Sequence, residues 1–331
     1  TEMEQRDWQR GAVLQGKMEQ AMRGYIGPKP IVAKPIQEEN PEDTNGKNNP
    51  VHMTGKKPSI NVIGKKGTLH TAARRIVLTD VQQEDIPLNV SVHRFGDVPG
   101  TDLLKPKGHS RIDCSVRIVK KTKRYLDLFS SYGVLRLSPV EDGVVRVQFL
   151  RGQTADFEGG YWDFSSGKEV AWTARAGKNL VEMTVGDLTV QIPKKTGELR
   201  FFDQTGHLLT AEKASLPRQL EEGERCQSWV YFDWQKKEKL QAKGILPEDL
   251  QSMNQKARYI SFGGKKLRMP LVVSEHGYGI AAAAKGDVIC CDIQNYGPYL
   301  YTQGERQIDY YFIYKKNYPS ILEWYQAHRL K

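Results

Sequence analysis

From Arg111 onward the chain is a succession of short segments in which apolar and polar residues alternate, separated by turns too tight to hold a helix. Val116-Arg-Ile-Val119, Gly133-Val-Leu-Arg-Leu137, Val144-Val-Arg-Val-Gln-Phe149, Leu180-Val-Glu-Met-Thr-Val185 and Leu188-Thr-Val-Gln-Ile192 carry the two-residue period of half-buried strands. The Glu-Asp-Gly and Val-Gly-Asp sequences between them favour hairpins, because Gly and Asp tolerate the backbone angles a tight reversal needs. Leu199-Arg-Phe-Phe202 then meets the turn Asp203-Gln-Thr-Gly206 before Leu208-Leu209. Strands joined this way run antiparallel and must cover one face each. The fold class expected is mainly β, an antiparallel β-sandwich.

Two helices are expected among these strands. Pro247–Asn254 places Pro247 and the acids Glu248 and Asp249 where a helix start favours them. A last helix follows Tyr318-Pro-Ser320, with Tyr318, Ile321, Leu322 and Tyr325 as its apolar stripe and His328, Arg329 and Lys331 at the end that favours cations. The segment Gln307–Tyr314 alternates aromatic with aliphatic and polar residues, as a strand buried on one side does.

The first third is a different object. Residues 1–125 hold 22 Lys or Arg against 14 Asp or Glu, so +8 of the chain's formal +10 lies there. Before Tyr125 the only aromatic residues of the Phe, Trp and Tyr set are Trp8, Tyr25 and Phe95. Residues 1–24 read as a helix, with Leu14, Met18, Ala21 and Met22 at helical spacing and Gly24 as a stop. Residues 25–58, rich in Pro, Gly, Asn, Glu and Lys, read as a linker or disordered segment, since they cannot bury enough apolar surface to offset chain entropy. Residues 59–110 read as a small β segment of no assigned family, with strands at Ile60–Ile63, Arg75–Leu78 and Leu88–His93. Residues 111–331 form the sandwich.

Four cysteines (Cys114, Cys226, Cys290, Cys291) lack the spacing of a disulfide framework, and neighbours in a strand such as Cys290 and Cys291 point to opposite faces. Buried reduced thiols are expected. No spacing suggests a metal site, and no cofactor is implied. No apolar run approaches bilayer length and no charged-then-apolar leader opens the chain, so no membrane association and a cytoplasmic location are the default expectations.

Five elements, in this order, resemble the amino-terminal domain of glycoside hydrolase family 31, the family of α-glucosidases and α-xylosidases. They are Val144–Phe149, Val185–Phe202, Met269-Pro-Leu-Val-Val-Ser-Glu-His-Gly-Tyr-Gly-Ile280, Ile308-Asp-Tyr-Tyr-Phe-Ile-Tyr314 and the helix around Ile321-Leu-Glu-Trp-Tyr325. The resemblance runs from about Tyr125 to the end and implies a galactose mutarotase-like β-sandwich. It also implies that the sandwich packs on a catalytic (β/α)8 barrel, a unit of about 250 residues that this sequence does not contain. The departures concern the sugar. Leu240-Gln-Ala-Lys-Gly244 stands where the family usually has Tyr-Gly-Leu-Gly, and Met253-Asn-Gln-Lys256 keeps Asn254 but puts Lys256 near an acidic position. By resemblance, Asn254 and Tyr259 are the residues nominated for contact with an α-linked sugar.

Retaining glycosidases use two carboxyl groups about 5–5.5 Å apart. Glu158-Gly-Gly-Tyr-Trp-Asp163 sets two acids beside aromatics, but a hairpin loop with packing aromatics is the simpler reading, and no catalytic residue is assigned. The expected function is a non-catalytic, carbohydrate-associated domain of an α-glycosidase-like protein. Two alternatives stand beside it. Tyr296–Tyr301 and Tyr310–Tyr314 offer rings for a stand-alone carbohydrate-binding module, although core and inter-sheet packing explains them better, since their alternation is what a half-buried strand needs. Lys56-Lys57, Lys65-Lys66, Arg74-Arg75 and Lys120-Lys121-Thr-Lys123-Arg124 offer a basic arm for nucleic acid, but this region lacks the aromatic platforms of single-strand binders. A solvated charge distribution is the preferred reading, with nucleic acid not the expected partner. His276 in the Ser-Glu-His-Gly corner reads as a turn residue, and Gly263-Gly264-Lys265-Lys266 as a turn without the Gly spacing or Ser/Thr of a phosphate loop.

Overall fold

All strand pairings among the described residues are antiparallel, and they assemble three sheets around one shared core. The computed structural model describes residues 91–104, 112–158, 169–235, 237–244, 246, 249–263 and 269–328. The expected helix at 1–24, the linker at 25–58, most of the 59–110 segment and Gly159–Asp163 lie outside them. The described residues belong to a unit spanning Gly67–Lys331; a first unit, Thr1–Lys66, holds none of them.

The largest sheet has nine strands in the order β1 (Ile118–Lys121), β2 (Leu126–Phe129), β3 (Gly133–Glu141), β4 (Val144–Arg151), β19 (Ile308–Tyr314), β16 (Tyr278–Ala282), β15 (Leu271–Ser274), β12 (Leu240–Lys243) and β13 (Leu250–Ser252). A second sheet runs β10 (Arg218–Glu221), β11 (Gln227–Tyr231), β18 (Tyr299–Gln303), β17 (Val288–Cys291) and β14 (Ala257–Tyr259). The third is a meander of β5 (Trp172–Ala176), β6 (Leu180–Val185), β7 (Leu188–Pro193), β8 (Arg200–Phe202) and β9 (Leu208–Ala211). Among the described residues helical structure is confined to α1 (Thr101–Leu104), a 3-10 turn at Gln294–Tyr296 and α2 (Tyr318–His328). None of these is long and apolar enough to cross a membrane.

Alternation explains the layers. On β6 and β7, Val181, Met183, Val185, Leu188, Val190 and Ile192 are fully buried while the residues between them stay half-exposed. Facing them are Leu135, Leu137, Val145, Val147 and Phe149 from β3 and β4, and Phe312 from β19. Phe201 on β8 stacks on Phe312 with ring centroids 3.7 Å apart, which joins the meander to the large sheet. Burial of each such side chain stabilises the fold by about 1.5–3 kcal/mol.

The strand β19 is buried along its whole length rather than on one side. Ile308, Tyr310, Phe312 and Tyr314 enter the shared core, whereas Tyr311 and Ile313 enter a second cluster on the opposite face. The cause is α2, which folds back over that face with Ile321, Trp324 and Tyr325, and Tyr325 Oη donates to Met269 O at 2.7 Å. Trp324, absent from the stripe read from the sequence, thus joins Ile321 and Tyr325 on the buried face, whereas Tyr318 and Leu322 are only partly buried. The uncovered remainder of this face is polar and closed by ion pairs, Arg136–Asp127 (2.7 Å) and Arg146–Asp309 (2.6 Å).

The helix expected over Pro247–Asn254 is corrected over its described part: Leu250–Ser252 is the edge strand β13, paired with β12 through Gln241↔Ser252, Ala242↔Gln251 and Lys243↔Leu250. The acids that suit a helix start are outweighed by a ladder that satisfies backbone groups across two strands. Ser91–His93, the described part of the expected strand Leu88–His93, is not a strand. Instead Ser91–Leu104 lies against the second sheet. Gly96 N donates to Tyr259 O (2.8 Å), Tyr259 N donates to Asp97 O (2.9 Å), and Leu104 is buried beside Tyr299. All four cysteines are free, and Cys290 and Cys291 do face opposite sides, one in the main core and one in the aromatic cluster around Tyr299.

Candidate functional site

The residues nominated for sugar contact sit at opposite ends of β14 and serve different neighbours. Asn254 lies in the turn Met253–Lys256 between β13 and β14, where Gln255 takes a positive φ of 54°. Its Nδ2 donates to Glu238 O at 2.6 Å, and its Oδ1 accepts from Leu240 N at 3.2 Å. Both ends of the amide therefore staple the turn to the start of β12. Tyr259 is buried, its ring stacked on His93 with centroids 3.8 Å apart.

Asn254 leads to a polar cluster that the sequence did not single out. The Glu238 carboxylate is buried at the base of the β15–β16 corner. Its Oε1 accepts from Ser274 Oγ at 2.6 Å and, over a short contact, from Tyr278 Oη; its Oε2 accepts from Gln235 N at 3.0 Å. His276 Nδ1 approaches Oε1 at 3.9 Å, and the His276 ring meets His207 edge-on with centroids 6.2 Å apart. Burial first, and then the Glu238 charge, pushes the Tyr278 hydroxyl well above the ordinary tyrosine range. Asp292 accepts from Gln255 N at 3.0 Å; burial, outweighing that bond and aided by Glu238, raises its carboxyl above the usual value.

The corner itself depends on Gly277. Its φ is 80°, and a Cβ there would come within 2.7 Å of Lys316 carbonyl atoms. Glu238 holds this reversal by receiving one hydrogen bond from each side of it, Ser274 before and Tyr278 after. With these donors on its oxygens, the carboxylate is arranged to fix a corner. A general acid or base needs a proton position aimed at a substrate. Glu238 stands in the run Gln235-Lys-Lys-Glu-Lys239, which reads as a solvated charge cluster; only the pairing of distant strands buries it.

The other departure from the family pattern has a structural consequence. In place of the Tyr-Gly-Leu-Gly turn, β12 ends in Lys243, whose buried ammonium donates to the carbonyls of Gly244 and Asp249 at 3.3 Å each and to that of Leu246. Tyr299 and Tyr301, candidate stacking rings, are buried in the aromatic cluster of the second sheet. Of the proposed acid pair, only Glu158 is described; its backbone N donates to Gln307 Oε1 at 3.1 Å. Two open depressions, of about 370 and 260 Å3, lie away from this cluster. The first is lined by Glu221, Glu222, Glu224 and Arg225, and in the second Lys316 pairs with Asp187 at 2.5 Å.

No family model matches the chain, and no curated protein sequence matches it. Solved structures do. A family 31 α-xylosidase from a soil metagenome, in complex with xylose, is similar over 64% of this chain and 34% of that one, with a TM-score of 0.55 at 13% identity. A family 31 dextranase from Flavobacterium johnsoniae, in complex with glucose, is similar over 67% of this chain and 28% of its own, with a TM-score of 0.55 at 14% identity. The cycloalternan-forming enzyme of Listeria monocytogenes, in complex with a pentasaccharide substrate, is similar over 64% of this chain and 22% of its own, with a TM-score of 0.50 at 18% identity. At such identities the likeness is one of fold. The chain is an antiparallel β-sandwich protein sharing its fold with part of the family 31 glycoside hydrolases, as the sequence resemblance implied. It spans about a third or less of the length of these enzymes.

Proposed function

We propose that this chain is the non-catalytic β-sandwich of an α-glycosidase-like assembly, which docks on a (β/α)8 barrel carried by another part of a longer polypeptide or by a separate one. The observation that carries the reading is the extent of the likeness: about two thirds of this chain superposes on carbohydrate-active enzymes, yet accounts for only 22–34% of them. The state of the polar cluster supports it, because Glu238 and Asn254 are engaged in holding strands together. Within this reading Asn254 and Tyr259 act chiefly through the scaffold; contact with an α-linked sugar by either requires release of the amide staple or of the His93 stack. The free thiols suit a reducing compartment, and we assign the protein to the cytoplasm.

The test is co-sedimentation of the chain with a family 31 catalytic barrel expressed without its own sandwich. A stoichiometric complex is expected. Failure to associate, together with a thermal upshift of the isolated chain by α-linked oligosaccharides, would replace this reading with that of a free-standing carbohydrate-binding module.

A further inference from the structure

The hairpin joining β1 to β2 closes the basic first 125 residues of the sequence, and it is rigidly built. Thr122 N donates to Tyr125 O at 2.9 Å, and Thr122 Oγ1 accepts from Arg124 N and Tyr125 N at 3.1 and 3.0 Å. Around this tip Lys120, Lys121, Lys123 and Arg124 are all exposed. Among the described residues no carboxylate pairs with any of the four. Asp127, the cross-strand neighbour of Lys120, is held on both oxygens by Arg136 at 2.7 and 2.8 Å.

The ring next in sequence, Tyr125, is covered by the Arg136 guanidinium at 3.7 Å from its centroid, but the fold supplies another. Trp172 on the edge strand β5 donates from Nε1 to Lys123 O at 3.1 Å, across 49 residues of sequence. Its ring lies under Lys121, with Nζ 4.7 Å from the centroid, and Phe129 lies under Lys120 at the same distance. Four exposed cations thus share one hairpin with a partly exposed indole: Lys121 lies over the ring, a hydrogen bond to the tip fixes it, and Lys120 points to the other face of β1. Cations attract any polyanion, but a flat ring set among them favours a polymer that alternates phosphates with planar bases.

We infer that the β1–β2 hairpin and Trp172 form a binding surface for single-stranded nucleic acid, with Lys120, Lys121, Lys123 and Arg124 on phosphates and a base stacked on Trp172 in the place Lys121 takes. The experiment is fluorescence anisotropy of a labelled oligothymidylate with the full 331-residue chain over a salt series. Four phosphate contacts make the slope of log K against log salt about 3 units steeper than without them. The Lys120→Gln, Lys121→Gln, Lys123→Gln, Arg124→Gln variant should lose that increment while melting like the parent. Trp172→Leu should weaken binding about 5- to 150-fold with the slope unchanged, and Trp172→Phe should restore most of it. The inference is overturned if the chain does not bind at low salt, or if the four-site variant binds with the parental slope, which would assign binding to the preceding basic arm. It is equally overturned if polyglutamate competes as well as unlabelled oligothymidylate, or if Trp172→Leu binds like the parent.

Discussion

The ion pair Glu212–Arg218 sits where the three sheets meet, and its disruption should separate a packed sandwich from three loosely associated sheets. Glu212 follows β9, bridges to Phe232 beyond β11, and accepts from Tyr310 Oη on β19 at 3.3 Å. Its other oxygen accepts from Leu199 N at 2.9 Å and, over a short contact, from Arg218 Nη2, which also donates to Gly197 O at 3.0 Å. The side chains are 0% and 3% exposed. Glu212→Met leaves a guanidinium buried without its counter-charge, which costs about 3–5 kcal/mol. For a body of this size, that lowers the melting temperature by about 6–20 °C. Arg218→Met strands the carboxylate and should cost a similar amount. The double variant removes both charges and should cost less than the sum by at least about 1.5 kcal/mol, since apolar replacement of a whole buried pair is far cheaper than breaking it. Urea unfolding of the four proteins completes the cycle. Additivity within about 0.5 kcal/mol would show that the two groups do not meet in a dry junction and would refute the reasoning.

Three further outcomes are expected. Asn254→Ala should destabilise the chain by about 2–4 kcal/mol, because Glu238 O and Leu240 N both lose their side-chain partner; a change in urea midpoint too small to resolve would contradict the staple. Asp292 has a folded-state carboxyl raised above its unfolded value, so its contribution favours folding below the ordinary carboxylate range and is lost as pH rises through the raised value. Asp292→Asn should therefore gain stability relative to the parent between pH 3 and neutrality, and a parallel pair of stability–pH curves would count against it. Gly277→Ala, forced to a φ of 80° against Lys316, should open the β15–β16 corner to limited proteolysis, and unchanged digestion would remove the glycine from the account.

Where a tight turn follows a strand, the sequence was enough. The strand Leu180–Val185 is recovered with its bounds unchanged and Leu188–Ile192 gains one residue, because a two-residue reversal leaves the register no freedom. Strands whose partners are remote were less visible. Arg218–Glu221 shows no clean alternation, and Leu250–Ser252 follows the helix-start acids Glu248 and Asp249, whose preference its pairing with β12 overrides. Burial of β19 on both faces depends on α2 returning over it, and only a fold in hand shows that. The polar cluster follows the same rule. The Ser-Glu-His-Gly corner is plain in the sequence, whereas Glu238, which holds it, resembles any solvated acid among lysines. Trp172 beside Lys123 is likewise a product of two sheet edges meeting, invisible to spacing.

In the proposed function the buried carboxylates Glu238 and Asp292 hold backbone and side-chain partners in place and do not cleave glycosides. The direct measurement is hydrolysis of 4-nitrophenyl α-glucoside and α-xyloside by the purified chain at high protein concentration. The predicted rate equals that of buffer, in the parent and in Glu238→Gln and Asp292→Asn alike. Turnover by the parent that either substitution abolishes, or that Asp163→Asn abolishes, would contradict it.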